Sequence, residues 1–154
     1  FRQRMRGEAS ARAFHSPGGA RAGHGRCAMI RALFVDDDPD LRTVTRLALQ
    51  LDSDFAVETA ESAHAALALL RKRNTPFDLI LLGATTRDMD QAMVEAVRWL
   101  PACRTTPIVF LSRRIGESDR AQYRAMGAAG VIAVPYDPTK LACAIAALLH
   151  AAQE

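Results

Sequence analysis

Three consecutive carboxylates, Asp36 to Asp38, follow an apolar run and precede Pro39. Proline suits the first turn of a helix, and a helix N-terminus favours negative charge, so the run ends where a helix begins. Adjacent carboxylates repel one another, and a divalent cation or a buried basic side chain would offset that repulsion. The acidic turn therefore predicts a site for a cation or a basic side chain. Solvation of the turn is the alternative.

Two further features lie at the ends of apolar runs. The hydroxyl of Ser112 could bond a phosphate or an oxyanion, or it could simply belong to a turn. Val134-Pro135 is an X-Pro bond in a tight connection, which is compatible with a cis peptide.

Short apolar runs alternate with amphipathic segments from Met29 onward, which is typical of repeated βα units and a parallel sheet. The aliphatic strands are nearly continuous, which indicates helices on both faces. Chemistry in such a sheet lies outside the carboxyl ends of the strands, where Asp36 and Ser112 fall. The predicted strands are 30–35, 55–59, 79–82, 108–112 and 131–134, and the predicted helices are 39–51, 62–73, 90–100, 117–126 and 138–152.

The net charge of +3 is distributed unevenly along the 154 residues. Six arginines against Glu8 give residues 1–28 a net charge of +5, whereas residues 29–154 carry −2. We predict that residues 1–28 are a disordered basic leader and that residues 29–154 are the folded domain. A basic arm for an acidic partner and a targeting peptide are the other interpretations of the leader. The folded part offers no basic surface for nucleic acid.

The three cysteines, Cys27, Cys103 and Cys143, are far apart and form neither a CxxC motif nor a Cys/His ligand set. Neither a disulfide framework nor a zinc site is predicted, and a reducing compartment fits. The apolar runs are too short to span a bilayer, so we expect a cytoplasmic protein with no membrane partner.

In order and at matching spacing, several segments resemble the response-regulator receiver family of bacterial two-component signalling. The resemblance covers Met29 to Glu154 and implies a flavodoxin-like doubly wound sheet of strand order 2-1-3-4-5. It also implies magnesium-dependent transfer of a phosphoryl group from a histidine kinase to an aspartate, with Asp36 and Asp37 as the acidic pocket. The matching segments are Ala32 to Asp38, Phe77 to Leu82, Met89-Asp90, Pro107 to Ser112, Met126 to Ala128 and Val134 to Tyr136.

The sequence departs from the family at positions that matter for phosphotransfer. The phosphoacceptor aspartate falls on Gly83, the family's lysine on Val134 and its switch aromatic on Val131. Ser112 keeps the switch hydroxyl, and Pro135 follows the lysine position. These departures indicate a phosphorylation-independent module that is not an enzyme and requires no cofactor, with weak Mg²⁺ binding left open at Asp36 and Asp37.

Arg113 and Arg87 stand where the family has small or neutral residues. We hypothesise that one of these guanidinium groups occupies the acidic pocket and pairs with Asp36 or Asp37 in place of the metal and the lysine. The alternative is that both arginines point into water.

Four functional interpretations remain open. The preferred one is a signalling module that binds a histidine kinase or another signalling protein, or a second copy through its fourth and fifth helices. The others are a conventional magnesium-dependent response regulator whose acceptor was lost, and phosphorylation at Asp88 or Asp90. Phe34 to Asp38 also resembles the nucleophile loop of haloacid-dehalogenase-type phosphatases, although only Lys140 follows Ser112 and no further acidic pair does.

Overall fold

The protein, described by a computed structural model over residues 29–52, 54–72 and 76–152, contains a five-stranded parallel sheet of order β2-β1-β3-β4-β5. This order confirms the predicted fold class, and the leader predicted at 1–28 lies outside the described residues. The strands are β1 (Ile30–Val35), β2 (Phe55–Ala60), β3 (Leu79–Gly83), β4 (Ile108–Ser112) and β5 (Gly130–Ala133). The helices are α1 (Pro39–Gln50), α2 (Ala63–Lys72), α3 (Arg87–Trp99), α4 (Glu117–Ala125) and α5 (Leu141–Ala152), with a 3₁₀ turn at Pro101–Cys103.

The sheet divides the hydrophobic core into two halves because successive side chains of a strand point to opposite faces. Leu33 packs on the face covered by α2, α3 and α4, and its neighbour Phe34 packs on the face covered by α1 and α5. Both side chains are fully buried. This two-sided burial explains why the central strands read as nearly continuous aliphatic runs.

Capping explains where two elements depart from the predicted boundaries. α3 begins at Arg87 rather than residue 90, because the hydroxyl of Thr86 accepts a hydrogen bond from the Met89 N–H at 3.2 Å. α5 begins at Leu141 rather than residue 138, because the Asp137 carboxylate holds the Thr139 N–H and hydroxyl in a preceding turn, at 3.0 and 2.7 Å. The strand predicted at 131–134 lies one residue earlier, at Gly130–Ala133.

Helix α5 has one buried face and one face of small side chains. Leu141, Ile145 and Leu149 are buried against the sheet, whereas Cys143 and Ala147 are exposed. The helix is therefore half covered, although its sequence is apolar almost all round. Across residues 29–52, 54–72 and 76–152, no helix is both long and apolar enough to cross a membrane.

The first residue of β5, Gly130, provides the space in which α5 packs. A Cβ at this position would lie 2.6 and 2.8 Å from the two terminal methyl groups of Leu148. We expect Gly130→Ala to lower the free energy of unfolding by about 1–2 kcal/mol, as measured by urea denaturation, because the Leu148 side chain or the helix that carries it must shift.

Two controls isolate this contact. Gly116→Ala should cost less, because its added Cβ meets only the Asp119 carboxylate, at 3.3 Å. In a Leu148→Ala background, the penalty of Gly130→Ala should fall by more than half. An equal penalty in both backgrounds would show that Leu148 is not the cause.

Candidate functional site

The carboxyl ends of β1, β3 and β4 surround an open cleft of about 300 Å³. The acidic turn after β1 forms one wall, and Ala84 and Thr85 after β3 form another. Ser112, Arg113, Arg114 and Val134 also line the cleft. The topology thus brings the two predicted features, the carboxylates and the hydroxyl, to one edge of the sheet.

The three aspartates of the acidic turn have different tasks. Asp38 caps α1, because its Oδ1 accepts hydrogen bonds from the N–H groups of Asp40 and Leu41 at 2.9 and 3.3 Å. Asp36 accepts the Asp38 N–H through its own Oδ1 at 2.8 Å. Asp37 is exposed at the mouth of the cleft. Helix capping therefore accounts for one carboxylate of the three.

A basic side chain does contact the acidic turn, but it binds a backbone carbonyl oxygen there rather than a carboxylate. The guanidinium of Arg42, one helical turn into α1, donates to the carbonyl oxygen of Asp36 at 2.6 Å. No motif in the sequence marked Arg42 as part of the site. The one sequence feature that could have indicated this contact is the position of Arg42, six residues after Asp36 on a helix that begins at Pro39.

The side chain of Asp36 occupies the space beside Gly83. A Cβ on residue 83 would collide with Oδ2 of Asp36 and would lie 2.7 Å from its Cγ. An aspartate at position 83 would need this same volume. The carboxylate of Asp36, the residue after β1, therefore occupies the place where an acceptor side chain at position 83 would start.

Burial raises the pKa of the Asp36 carboxyl above its ordinary value of 3.8. The negative charge of Asp37 and a hydrogen bond with its side chain raise this pKa further, and so does the charge of Asp38. The hydrogen bond from the Asp38 N–H opposes the rise because it stabilises the ionised form. The site thus holds a partly desolvated carboxylate beside like charges.

The hydroxyl of Ser112 is buried and makes three hydrogen bonds. It accepts from the Arg114 N–H at 2.9 Å and from the Tyr123 hydroxyl at 3.0 Å, and it donates to the Arg114 carbonyl at 3.1 Å. A serine hydroxyl has one proton and two lone pairs, so its capacity is fully used. Tyr123, which lies on α4 and stacks on Phe110, was missed because the sequence does not show how α4 packs.

The loop after β3 is fixed by Asp90. This carboxylate is 4% exposed and accepts hydrogen bonds from the Thr85 N–H at 2.9 Å and from the Thr85 hydroxyl at 2.8 Å. Asp88 is exposed on the first turn of α3. Neither side chain lines the cleft, so neither is placed as a substitute acceptor.

The hypothesis that a guanidinium pairs with the acidic pocket is wrong for both candidates. Within the described part of the chain, neither Arg113 nor Arg87 makes a hydrogen bond or ion pair with Asp36 or Asp37. Arg87 begins α3, away from the cleft lining, and Arg113 lines the cleft without reaching the carboxylates. The neighbouring Arg114 instead donates to the Thr85 carbonyl at 2.9 Å.

The remaining predicted positions lie in apolar surroundings. Val131 packs in the core on the face of α2, α3 and α4, and Val134 lines the cleft. The Val134-Pro135 peptide is cis. The next residue, Tyr136, shares a 2.6 Å hydrogen bond with Thr45 of α1. Val134 therefore places an alkyl group where a lysine would supply a charge.

The cleft offers magnesium few side-chain ligands, chiefly the carboxylates of Asp36 and Asp37. Mg²⁺ requires near-octahedral oxygen coordination. Asp36 uses one carboxylate oxygen for the Asp38 N–H and directs the other toward Gly83, which has no side chain. Among the residues that the structure describes, no group of three or more His, Cys, Asp or Glu side chains could hold a metal ion. Lys140, the one lysine after Ser112, is exposed, so the phosphatase interpretation gains no lysine at the cleft.

Comparison with known proteins places this geometry in a family. The family described as "Response regulator receiver domain" matches residues 32–146. An uncharacterized 14.6 kDa protein of Leptolyngbya boryana is 34% identical over 115 residues, which cover 74% of this chain and 86% of that protein. The transcriptional regulatory protein ResD of Bacillus subtilis is 29% identical over 124 residues, or 80% of this chain. The chain spans about half the length of ResD.

Solved structures show the same fold. The chemotaxis protein CheY4 of Vibrio cholerae superposes with a TM-score of 0.69 at 30% identity, covering 79% of this chain and 99% of CheY4. A response regulator of Thermotoga maritima reaches a TM-score of 0.70 at 17% identity, covering 79% of this chain and 98% of that one. The second likeness shows the fold alone.

The raised pKa of Asp36 predicts a pH-dependent stability. Between 3.8 and the raised pKa, the native state binds more protons than the unfolded chain, so the free energy of unfolding falls as pH rises through that interval. We expect Asp36→Asn to be more stable than the wild type at pH 7, with the difference shrinking as pH falls toward 3.8. Urea denaturation across this pH range measures it.

Glu61→Gln removes one exposed carboxylate and controls for net charge. A stabilisation by Asp36→Asn that stays constant with pH, or that Glu61→Gln reproduces, would contradict the role of the partly buried Asp36 carboxylate.

Proposed function

We propose, from the premise that this chain belongs to the response regulator receiver domain family, that it is a receiver module of two-component signalling that works without phosphorylation. The observation that carries the proposal is the pair formed by Gly83 and Asp36. Residue 83 has no carboxylate to accept a phosphoryl group, and the carboxylate of Asp36 fills the space beside it.

The surroundings of residue 83 support the same conclusion. A phosphoryl group on the sheet edge would carry charge that needs a cation and a hydroxyl donor. Val134 offers an alkyl group, and the Ser112 hydroxyl already donates its only proton to the Arg114 carbonyl. Accepting a phosphoryl group would therefore require the site to break contacts that it now makes. The proposed module needs no cofactor and is not an enzyme.

The proposed function is protein binding. Receiver domains interact with histidine kinases and other signalling proteins, and we propose a partner of this kind. The exposed side of α5, with Cys143 and Ala147, offers a flat surface of small residues, and together with α4 it is the proposed homodimer surface. The net charge of −2 on residues 29–154 argues against nucleic acid as the direct partner of this domain.

A conventional response regulator that lost its acceptor is the second candidate. The intact sheet and the retained Asp37 and Ser112 favour it. The two candidates differ in whether one substitution restores chemistry.

Intact-protein mass after incubation with magnesium and acetyl phosphate tests the proposal. We expect no gain of a phosphoryl group in the wild type. We also expect none in Gly83→Asp, because Val134 supplies no cation in place of the missing lysine. The double variant Gly83→Asp/Val134→Lys should gain one group, because both the acceptor and the cation are supplied.

A mass gain in the wild type would overturn phosphorylation independence. A gain in Gly83→Asp alone, equal to that of the double variant, would favour the conventional regulator whose site is silenced by one residue. Gly83→Ala is the matched control, because it introduces the same Cβ without a carboxylate.

A further inference from the structure

The loops that follow β3 and β4 are joined by a side chain that crosses the cleft. The guanidinium of Arg114 donates to the carbonyl oxygen of Thr85 at 2.9 Å, across 29 residues of sequence. Thr85 lies two residues after Gly83, and Arg114 lies two residues after Ser112. The contact therefore spans the edge of the sheet next to the position of the absent acceptor.

Both ends of this contact are anchored. At one end, Asp90 holds the N–H and the hydroxyl of Thr85, so the carbonyl that Arg114 meets belongs to a fixed loop. At the other end, Ser112 bonds both the N–H and the carbonyl of Arg114 and so fixes the turn from which the guanidinium extends. Because both backbones are already held, only the Arg114 side chain must be ordered for one exposed hydrogen bond to connect the two loops.

The turn at Arg114 is also connected to α4. The hydroxyl of Tyr123 donates to Ser112 at 3.0 Å, and its ring stacks on Phe110 with centroids 4.7 Å apart. A continuous series of contacts thus leads from Asp90 on α3, through Thr85, Arg114 and Ser112, to Tyr123 on α4. Any movement of the loop after β4 would have to break it.

We propose that Arg114 is a built-in latch, which holds the loop after β4 against the loop after β3 and keeps α4 in one arrangement without a phosphoryl group. This inference rests on the proposed function, because a module that is not phosphorylated needs another contact to set the conformation of its binding surface. The positively charged guanidinium of Arg114 binds the backbone carbonyl of Thr85 in the loop after β3. The surface around α4 is therefore permanently in one state.

The charges around Arg114 agree with this role. Tyr123 raises the pKa of the Arg114 guanidinium, and the carboxylates of Asp119 and Asp90 contribute in the same direction. The guanidinium is exposed, so water and salt weaken these charge interactions. Directional hydrogen bonding, with Thr85 and with the Tyr123 hydroxyl, therefore positions the side chain more than net attraction does.

Hydrogen exchange of the full chain, resolved by residue, tests the latch. Arg114→Met keeps the length of the side chain and removes every donor. In this variant, we expect the backbone amides at positions 85 and 114 to exchange about three- to tenfold faster than in the wild type, because the loops open more often. Amides in the middle of β1 should not change.

The chain provides a matched control in the adjacent Arg113. It has the same charge and is also exposed at the cleft, but it makes no hydrogen bond among the described residues. Arg113→Met should leave exchange at positions 85 and 114 within twofold of the wild type. Equal effects of the two variants, or no effect of either, would overturn the latch.

A second variant keeps the test independent of folding problems at position 114. Tyr123→Phe retains the ring against Phe110 and removes only the hydroxyl that Ser112 accepts. It should speed exchange at position 114 and in the first turn of α4. Unchanged exchange there would overturn the connection to α4.

These results are separable from the phosphorylation test. If the wild type gained a phosphoryl group while Arg114→Met loosened the loops, the proposed function would fail and the contact would stand. If no phosphoryl group were gained and Arg114→Met behaved as Arg113→Met does, the proposed function would stand and only the latch would be rejected.

Discussion

The carboxylate of Asp36 and the bare backbone of Gly83 share one small volume at the carboxyl edge of the sheet, and the rest of the site follows from how that volume is filled. β1 and β3 are adjacent and parallel, with Val35 opposite Leu82, so the residues that follow them must meet. With no side chain at position 83, the Asp36 carboxylate lies in the gap. It is partly desolvated, which raises its pKa, and the charge of Asp37 adds to the rise. The carboxylate therefore occupies the place from which an acceptor would extend.

The side chains of Ser112 and Asp90 then have structural roles at the site. Ser112 is saturated by Arg114 and Tyr123, and Asp90 is buried against Thr85. In a domain that exchanges phosphoryl groups, such polar groups must be free to change partners. Here they belong to a continuous series of hydrogen bonds from α3 to α4, buried at Asp90 and Ser112 and exposed at Arg114, and such networks stiffen a structure. Such stiffness is consistent with a protein-binding surface that keeps one conformation.

The sequence predicted the fold well, because alternation of apolar runs and amphipathic segments reports directly on two-sided burial of a parallel sheet. The same logic predicted that the acidic turn and Ser112 lie at the carboxyl edge of the sheet, whereas Gly83 was identified only through the family resemblance. The pattern of apolar runs could not predict the direction in which an individual side chain points. Arg113 and Arg114 are indistinguishable as letters, and only the turn closed by Ser112 decides which one reaches Thr85. Tyr123 was missed because its partner depends on how α4 packs, and the boundaries of α3 and α5 depended on the turns at Thr86 and Asp137.

The central claim is that the site no longer recognises the magnesium and phosphoryl pair, and a titration followed by backbone NMR tests it most directly. Magnesium is added first and beryllium fluoride, a phosphoryl mimic, second, while the amides of Gly83, Ala84 and Ser112 are observed. We expect no saturable shift at these three amides at millimolar magnesium, with or without the mimic. A saturable shift at Gly83 and Ser112 that requires both additions would contradict it, because it would show that the pocket still assembles around a phosphoryl-like group.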